Sequence, residues 1–562
     1  MTTKTLSIPE PSLINLRFPK WREGQLRAIE WIAGDNWFEH DAEFEHPVSK
    51  TMMSTYESME VKVLEGPTGT GKTGIIIAAA LLSGKRVLIM CATKIEQQQY
   101  INNLINIDIN DVVTVMGKGN FHCVLPRVQK GASTHACEEQ FCSLVHKDEA
   151  PCAVEGFQCP VRSSCPYDLQ KARAVGAQVV VTNYAYGLAM LNYVGADGGL
   201  GVRDIIVSDE GHVLDEMLEQ FISIRISKRV VDRLFNVFLP KFKDGGDIPN
   251  WIGWVEDNEM MLKQATDKYE DVYPEDLNRV EMKDYLSTYR YIDYFKTVSE
   301  MDQNWVVEED SNSFTFQPVW VTGDSRRVLF NHAGRHVIMS GTIPSPIELG
   351  NKVGLRADEF SFYRLPYIFP PENRPIVLRP RVDLSWKNKS ANMPLLVEAV
   401  DETLEEYLKV KPMKILIHTK SYDIARYLKE WSEYGDSFLT HDTRTRNAVL
   451  EAFKNGDAPL ILASPSFDKA VDLPGDECEL IIVAKVPYPY LGSKVMKRRS
   501  KNRRYYTHET LMTLIQMAGR GVRSEQDVCP TIVLDAAGPK FFKQARRMTP
   551  KGIQNAIVDE ST

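Results

Sequence analysis

Short unbroken apolar runs recur along this chain and alternate with stretches of helical periodicity. In one block the runs fall at 61–64, 86–91, 178–182, 204–208 and 336–340; in a second they fall at 414–419, 460–463, 480–486 and 531–535. Runs that are continuously apolar, not alternating, suit parallel strands covered by helices on both faces. The pattern therefore predicts two α/β domains assembled from βαβ units. Two stretches break the rhythm. Residues 118–168 are rich in Cys, Gly and Pro, and residues 229–311 are polar, acidic and aromatic, with helix-like segments such as 281–298. Strand-like runs resume after each, so both read as insertions into the first α/β domain. No internal repeat or low-complexity tract is visible.

Composition sharpens this picture in three places. The 562 residues exceed the ~100–200 of one ordinary domain, so three or four units are expected. With 43% hydrophobic and 25% charged residues, the composition is that of a folded chain and not of a disordered one. The most apolar run, 75–82, falls far short of the ~20 residues that span a bilayer, and the first residues lack a signal-peptide pattern. A cytoplasmic protein with no membrane partner is the expectation. The net charge of −8 is unevenly placed: residues 251–310 hold 16 Asp/Glu and 6 Lys/Arg, a local −10 that leaves the other 502 residues at +2. An acidic module set in a slightly basic body does not exclude a nucleic-acid partner.

Gly66-Pro67-Thr68-Gly69-Thr70-Gly71-Lys72-Thr73 fits G-x-x-x-x-G-K-[ST], with an apolar run before it and a helix former after it. Glycines let backbone N–H groups wrap phosphates at a helix N-terminus. Gly66, Thr68, Gly69 and Gly71 would form the cradle, Lys72 would reach the β/γ-phosphates and Thr73 would hold Mg²⁺. Asp204-Ile205-Ile206-Val207-Ser208-Asp209-Glu210-Gly211-His212 ends a buried strand in two carboxylates. Asp209 is placed for Mg²⁺, and Glu210 for orienting or deprotonating water. Farther on, Gln516, Arg520 and Arg523 recur at i, i+4, i+7, as on one helix face, suiting fingers that reach a γ-phosphate. Between these motifs, residues 494–506 carry seven positive charges in eleven residues and then Tyr505-Tyr506, a pattern that suits single-stranded nucleic acid. Tyr184 and Tyr186 suit either the same path or core packing.

Six of nine cysteines (Cys123, Cys137, Cys142, Cys152, Cys159, Cys165) fall within 43 residues, while Cys91, Cys478 and Cys529 sit in apolar contexts as ordinary buried thiols. Without a secretion signal the cluster points to a metal before disulfides. A [4Fe–4S] cluster needs four thiolates; zinc usually shows C-x₂₋₄-C pairs, which only Cys137/Cys142 offers. Spacing alone leaves iron and zinc both open.

Together these motifs resemble the XPD/DinG family of iron–sulfur superfamily 2 helicases, in order and along nearly the whole chain. Trp21-Arg22-Glu23-Gly24-Gln25 resembles the family's adenine-contacting motif, with Gln25 as reader. Asp209-Glu210-Gly211-His212 resembles its DEAH box with Gly for Ala, and Ser340-Gly341-Thr342 its coupling motif. Residues Ile415 to Tyr422 resemble the opening of the second motor domain. Val471-Asp472-Leu473-Pro474-Gly475 resembles the fifth motif, with Asp472 facing the nucleotide, and Gln516 to Arg523 the sixth. Met116 to Cys123 resembles the lead-in to the first cluster cysteine, and Cys165-Pro166-Tyr167 the last. One departure is Lys469-Ala470, where the family carries an acidic residue and Gly before Val-Asp.

The resemblance implies an α/β fold of two RecA-like parallel-sheet motor domains, with an Fe–S cluster domain and a helical arch domain inserted in the first. Residues 1–117 would open motor domain 1 with the P-loop, 118–168 would form the cluster domain and 169–228 would carry the Asp-Glu-Gly-His box. Residues 229–311 would be the arch, 312–375 the last part of motor domain 1 and a linker, and 376–562 motor domain 2. With the adenine motif at Gln25, no nuclease domain is expected ahead of it. Cys123, Cys152, Cys159 and Cys165 would hold the [4Fe–4S] cluster, with Cys137 or Cys142 as replacements for Cys152. The implied activity is ATP-dependent, Mg²⁺-assisted 5′-to-3′ movement on single-stranded DNA with unwinding of forked or tailed duplexes, by a monomer served by a loading protein. A DNA-stimulated translocase that remodels protein–DNA or RNA–DNA complexes is the alternative, and a redox-sensing DNA-binding module a third reading.

Overall fold

The structure, a computed structural model, describes residues 8–17, 19–22, 24–34, 59–67, 69–104, 112–124, 158–195, 199–273, 277–467, 471 and 473–561. Thr68, Cys137, Cys142, Cys152, Lys469, Ala470 and Asp472 lie outside the described residues.

The first sheet draws on strands from both sides of the insertions. β1 (Glu60–Glu65), β2 (Val87–Cys91), β3 (Val112–Thr114), β4 (Val179–Asn183) and β5 (Ile205–Ser208) come before the acidic module. That module contributes its own β6 (Ile224–Ser227), β7 (Trp305–Glu309) and β8 (Ser313–Pro318), and the motor sheet resumes with β9 (Arg335–Ser340) and β10 (Phe360–Arg364). The order β10-β1-β9-β5-β2-β4-β3 is parallel throughout. Its strands are buried along nearly their whole length, as double coverage requires. The helix Lys72–Leu82 is apolar all round, and Ile75, Ile76 and Ile77 are fully buried between the sheet and the helix Gln25–Ala33.

The second sheet follows β11 (Ile376–Val382), β12 (Lys414–His418), β13 (Phe438–Leu439), β14 (Leu460–Ser464), β15 (Leu480–Val483), β16 (Thr531–Asp535) and β17 (Ile557–Asp559). Its order is β13-β14-β12-β15-β16-β11-β17, again parallel. The two α/β domains expected from the apolar runs are therefore present, as the RecA-like pair that the family resemblance implies. Cys91, Cys478 and Cys529 are buried thiols, as their contexts indicated.

The acidic module holds more than helices. The helices Ile248–Gln264 and Arg279–Ser299 pack on a three-stranded antiparallel sheet, β6-β8-β7, which begins at Ile224 and ends at Pro318. Trp251, wholly buried, anchors this core, with its ring centroid 4.8 Å from Phe314 and 5.0 Å from Phe316. The sheet extends the module beyond 229–311 at both ends. β6 has four residues with Arg225 turned out, too short an alternation to stand out in sequence. β11 was also hidden, for another reason. It contains Pro380, which cannot donate to a ladder, and its register to β16 slips between Leu378 and Val382.

Candidate active site

In the first sheet β1, β5 and β9 end side by side: Glu65 pairs with Ser340, and Ser208 with Ile338. The P-loop leaves β1, the carboxylate box leaves β5 and Ser340-Gly341-Thr342 leaves β9. Three motifs far apart in sequence thus converge at the carboxyl edge of a parallel sheet, where such folds bind ligands. The Gly66 N–H donates to the Ser340 carbonyl at 2.9 Å, which ties two of the three.

Gly71 caps the P-loop helix in the left-handed region (φ +74°), and a Cβ there would meet the Gln25 amide at 2.5 Å. Both conditions exclude a side chain. Gln25 Nε2 donates to the Thr70 carbonyl (2.7 Å), while Gln25 Oε1 accepts from the Arg22 N–H (2.6 Å). Expected to read the adenine, the buried Gln25 here links the P-loop, through Nε2, to the Arg22 backbone, through Oε1.

Asp209 is 5% exposed and heavily restrained. Its Oδ2 accepts from the Tyr100 hydroxyl at 2.7 Å, its Oδ1 accepts from the Glu210 N–H at 2.8 Å, and its carbonyl accepts from the Tyr184 hydroxyl at 2.7 Å. Tyr184 and Tyr186 are buried, and the Tyr186 hydroxyl meets that of Tyr167 at 2.9 Å. Both tyrosines belong to the core and the support of the site, so the DNA-path option for them falls.

Glu210 sits at φ +49°, uncommon for a residue with a side chain. Such strain persists only where the surroundings fix it. Here His212 Nδ1 lies 3.1 Å from Glu210 Oε2 and 2.9 Å from Ser340 Oγ, so one imidazole connects the box to the third motif. Gly211 replaces the usual alanine for a steric reason: a Cβ would stand 2.2 Å from Ile338 Cγ2 on β9.

The two adjacent carboxylates divide their roles electrostatically. Burial first, and then the neighbouring Glu210, push Asp209 above the usual carboxylate range. Glu210 is opposed by burial too, but Lys72, His212 and Arg520 outweigh it and hold it below that range. Glu210 is thus the ionised partner, and Asp209 is a buried carboxylate short of positive charge. That is the donor chemistry a hard divalent cation suits, bound through one or two carboxylates and substrate phosphates. Asp209 and Thr73 would hold Mg²⁺, which would supply charge neutralisation at phosphate oxygens.

Across the cleft, the helix Arg503–Ala518 brings Gln516 to the same cavity, of about 880 Å³, whose walls include Lys72, Thr73, Asp209, Glu210, Gly341, Arg520 and Arg523. Among the described residues Gln516 Oε1 has no hydrogen-bond partner, and it is buried. The one-face helix reading of these three residues needs correction. The helix ends at Ala518 with Gly519 as its cap, so Arg520 and Arg523 lie in the turn beyond it. The glycines at 519 and 521 favour ending the helix there. Arg520 Nη1 donates to the Val471 carbonyl (2.9 Å), and Arg523 Nη1 donates to the carbonyls of Gly519 (2.8 Å) and Val522 (3.0 Å).

The basic run is not an open loop. Residues Lys494–Arg499 form a helix seated against the acidic module and motor domain 1. The Lys494 N–H donates to Glu308 (2.6 Å), Arg498 donates to the carbonyls of Gln303 (2.7 Å) and Trp305 (3.3 Å), and Arg499 is buried against Glu219 (2.6 Å). Tyr505 is buried, and Tyr506 stacks on Tyr488 at 5.9 Å. Lys497, Lys501, Arg503 and Arg504 keep exposed side chains.

In the cysteine-rich segment Cys123 and Cys165 are buried and Cys159 is half-exposed. The rings of Phe121 and Tyr167, each two residues from an outer cysteine, meet at 5.8 Å and bring the ends of the segment together. Among the described residues no three candidate ligands stand together as a metal site.

Two parallel-sheet RecA-like domains with a P-loop, a carboxylate box and facing arginines on one cavity define a nucleoside-triphosphate motor of the helicase class. Residues 404–555 match the helicase C-terminal domain family. The chain is 22% identical to the probable ATP-dependent helicase of Methanocaldococcus jannaschii, over 87% of this chain and 91% of that one. It is 21% identical to the ATP-dependent DNA helicase YoaA of Escherichia coli, over 84% and 88%. Among solved structures, an XPD helicase superposes with a TM-score of 0.57 at 14% identity, covering 96% of this chain and all of that one. Xpd4 of S. tokodaii gives 0.53 at 15% identity, covering 90% and 96%. The chain thus carries a helicase C-terminal domain over residues 404–555 and shares the fold of the XPD helicase structures, in keeping with the XPD/DinG resemblance of its motifs.

The residues that sequence reading missed are those that serve the motifs without belonging to them. Tyr100 and Tyr184 hold Asp209; Tyr100 carries no local signal, and Tyr184 reads in sequence only as a path-lining or core residue. Among the described residues no helix is long and apolar enough to cross a membrane.

Proposed function

We propose that this chain is an ATP-dependent DNA helicase that moves 5′ to 3′ on single-stranded DNA and separates forked or tailed duplexes. It would act in the cytoplasm as a monomer, delivered to DNA by a loading protein. One observation carries the reading: a single cavity takes Lys72, Asp209 and Glu210 from one motor domain and Gln516, Arg520 and Arg523 from the other. Phosphate bound at Lys72 is then in reach of the second domain's arginines, so binding favours a closed cleft and release of phosphate an open one. Glu210, ionised and oriented by His212, accepts a proton from the attacking water. The adenine motif, the third motif and the family match support the rest, and polarity follows the family resemblance.

Duplexes with either a 5′ or a 3′ single-stranded tail test the reading. The 5′-tailed substrate is expected to unwind at least about tenfold faster, and a Lys72→Ala protein to unwind neither. Preference for the 3′ tail would reverse the polarity. ATPase stimulated by single strands with neither duplex unwound would replace the helicase by a translocase.

The family resemblance extends to a [4Fe–4S] cluster on Cys123, Cys152, Cys159 and Cys165. Support for it here is the thiol-rich donor set and the closed ends of the segment at Phe121 and Tyr167. Anaerobically purified protein is expected to hold about four iron and four sulfide per chain, and a Cys165→Ser protein to lose most of both. Zinc in place of iron would overturn the assignment.

A further inference from the structure

A buried charge cluster joins the two motor domains next to His212. The helix Leu214–Ile222, which follows the carboxylate box, supplies Asp215 and Glu219. The helix Pro346–Lys352 supplies Lys352, whose side chain is 2% exposed. The second domain supplies Arg499 and, from the helix that leads to Gln516 and Arg520, Glu509. Lys352 Nζ lies 2.9 Å from Asp215 Oδ1 and 2.8 Å from Glu509 Oε1, and it donates to the His212 carbonyl at 3.1 Å. The ammonium donates hydrogen bonds to Glu509 and to the His212 carbonyl and faces Asp215 as an ion pair. Arg499 reinforces the seam by pairing with Glu219 at 2.6 Å and Asp215 at 3.6 Å.

Burying such groups is expensive, and an apolar replacement of the whole cluster is often as stable or more so. Stability is therefore a poor reason for this arrangement, and geometry a better one. The Lys352 ammonium holds the backbone of His212, whose imidazole orients Glu210. The same ammonium holds Glu509, on the helix that carries Gln516 into the cavity. It is a direct strut between the two walls of the nucleotide site.

We infer that Lys352 is a positioning residue for nucleotide hydrolysis: through Glu509 and the His212 carbonyl it sets the register of the arginine-bearing wall against Glu210. The inference rests on the hydrolytic reading above and deepens it. It concerns how the closed cleft is aligned, not how tightly nucleotide binds.

Removing Lys352 outright would take away the ammonium that Asp215 and Glu509 share and leave Arg499, at 3.6 Å, as the cation beside Asp215, so Glu509→Gln is the cleaner variant. It keeps the shape and the Lys352–Asp215 pair while deleting the charge across the seam. With DNA present, its ATPase kcat is expected to fall about tenfold while KM for ATP stays within about twofold. Glu509→Asp, which keeps the charge, is expected to recover most of the lost rate. A kcat within twofold of the parent overturns the inference. So does a loss that Glu509→Asp does not repair, or one in which KM rises in step. A second measurement stands apart from hydrolysis: energy transfer between dyes on the two motor domains, with a non-hydrolysable ATP analogue bound. If the parent chain hydrolyses nothing, the helicase reading falls. The strut then survives only if Glu509→Gln still shifts or broadens the closed-state distance, and an unchanged distance sinks it.

Discussion

A Glu210→Gln protein is expected to bind ATP about as tightly as the parent chain and to hydrolyse it about a thousandfold more slowly. The substitution keeps size and a hydrogen-bonding oxygen, so contact with His212 at 3.1 Å can be retained. What it removes is basicity. Positioned general bases contribute ~10²- to 10⁴-fold, and Glu210 combines the required placement with a charge held ionised by Lys72, His212 and Arg520 against the cost of burial. Neutralising it also relieves Asp209 of an adjacent negative charge, which should leave Mg²⁺-dependent nucleotide binding intact or slightly tighter. Titration with a fluorescent ATP analogue and a single-turnover hydrolysis assay separate the two effects. Hydrolysis within tenfold of the parent would take the base role away from Glu210. Loss of binding would show that Glu210 shares the metal with Asp209.

How legible this molecule is in its sequence depends on how local each feature is. The central parallel strands are continuous apolar runs, and their burial on both faces makes the pattern unambiguous. The P-loop and the carboxylate box are equally plain, since both chemistry and context sit within a few residues. What escaped notice depends on partners distant in sequence. Tyr100 is unremarkable until its hydroxyl is seen on Asp209, more than a hundred residues away. Gly211 reads as a deviation from the family until Ile338 fills the space an alanine would need. Residues 494–506 show the opposite error. Seven charges in eleven residues suggest a phosphate track, yet Lys494, Arg498 and Arg499 serve the acidic module and motor domain 1. The insertion receives the segment through backbone groups, the carbonyls of Gln303 and Trp305 and the Lys494 N–H on Glu308, while the carboxylates that pair with its arginines, Asp215, Glu219 and Glu348, belong to motor domain 1. Composition had separated the two, −10 in one place and a cationic run in another, and the fold brings them together.

That seam also bears on the two arginines, which sequence treats as equivalent and the structure does not. Arg520→Ala is expected to lower kcat for ATP hydrolysis by about 10²- to 10³-fold with little change in nucleotide affinity, the range seen when a cation stabilising developing phosphoryl charge is removed. Arg523→Ala should cost only about tenfold. Arg520 lines the cavity, and its charge helps hold Glu210 down and adds to burial in driving His418 down to about 3. Its bond to the Val471 carbonyl ties it to the fifth motif, giving that motif a lever on the same charge. Arg523 spends its Nη1 on the carbonyls of Gly519 and Val522, in the turn it belongs to. Arg520→Lys should recover little, because an ammonium keeps the charge but loses the planar fork that can hold a backbone carbonyl and a phosphoryl oxygen together. Single-turnover rates for the three proteins, with ATP saturating, settle the order. Equal losses at 520 and 523 would restore the symmetric pair that the i, i+4, i+7 spacing suggests, and a larger loss at 523 would move the γ-phosphate contact one turn farther along the chain.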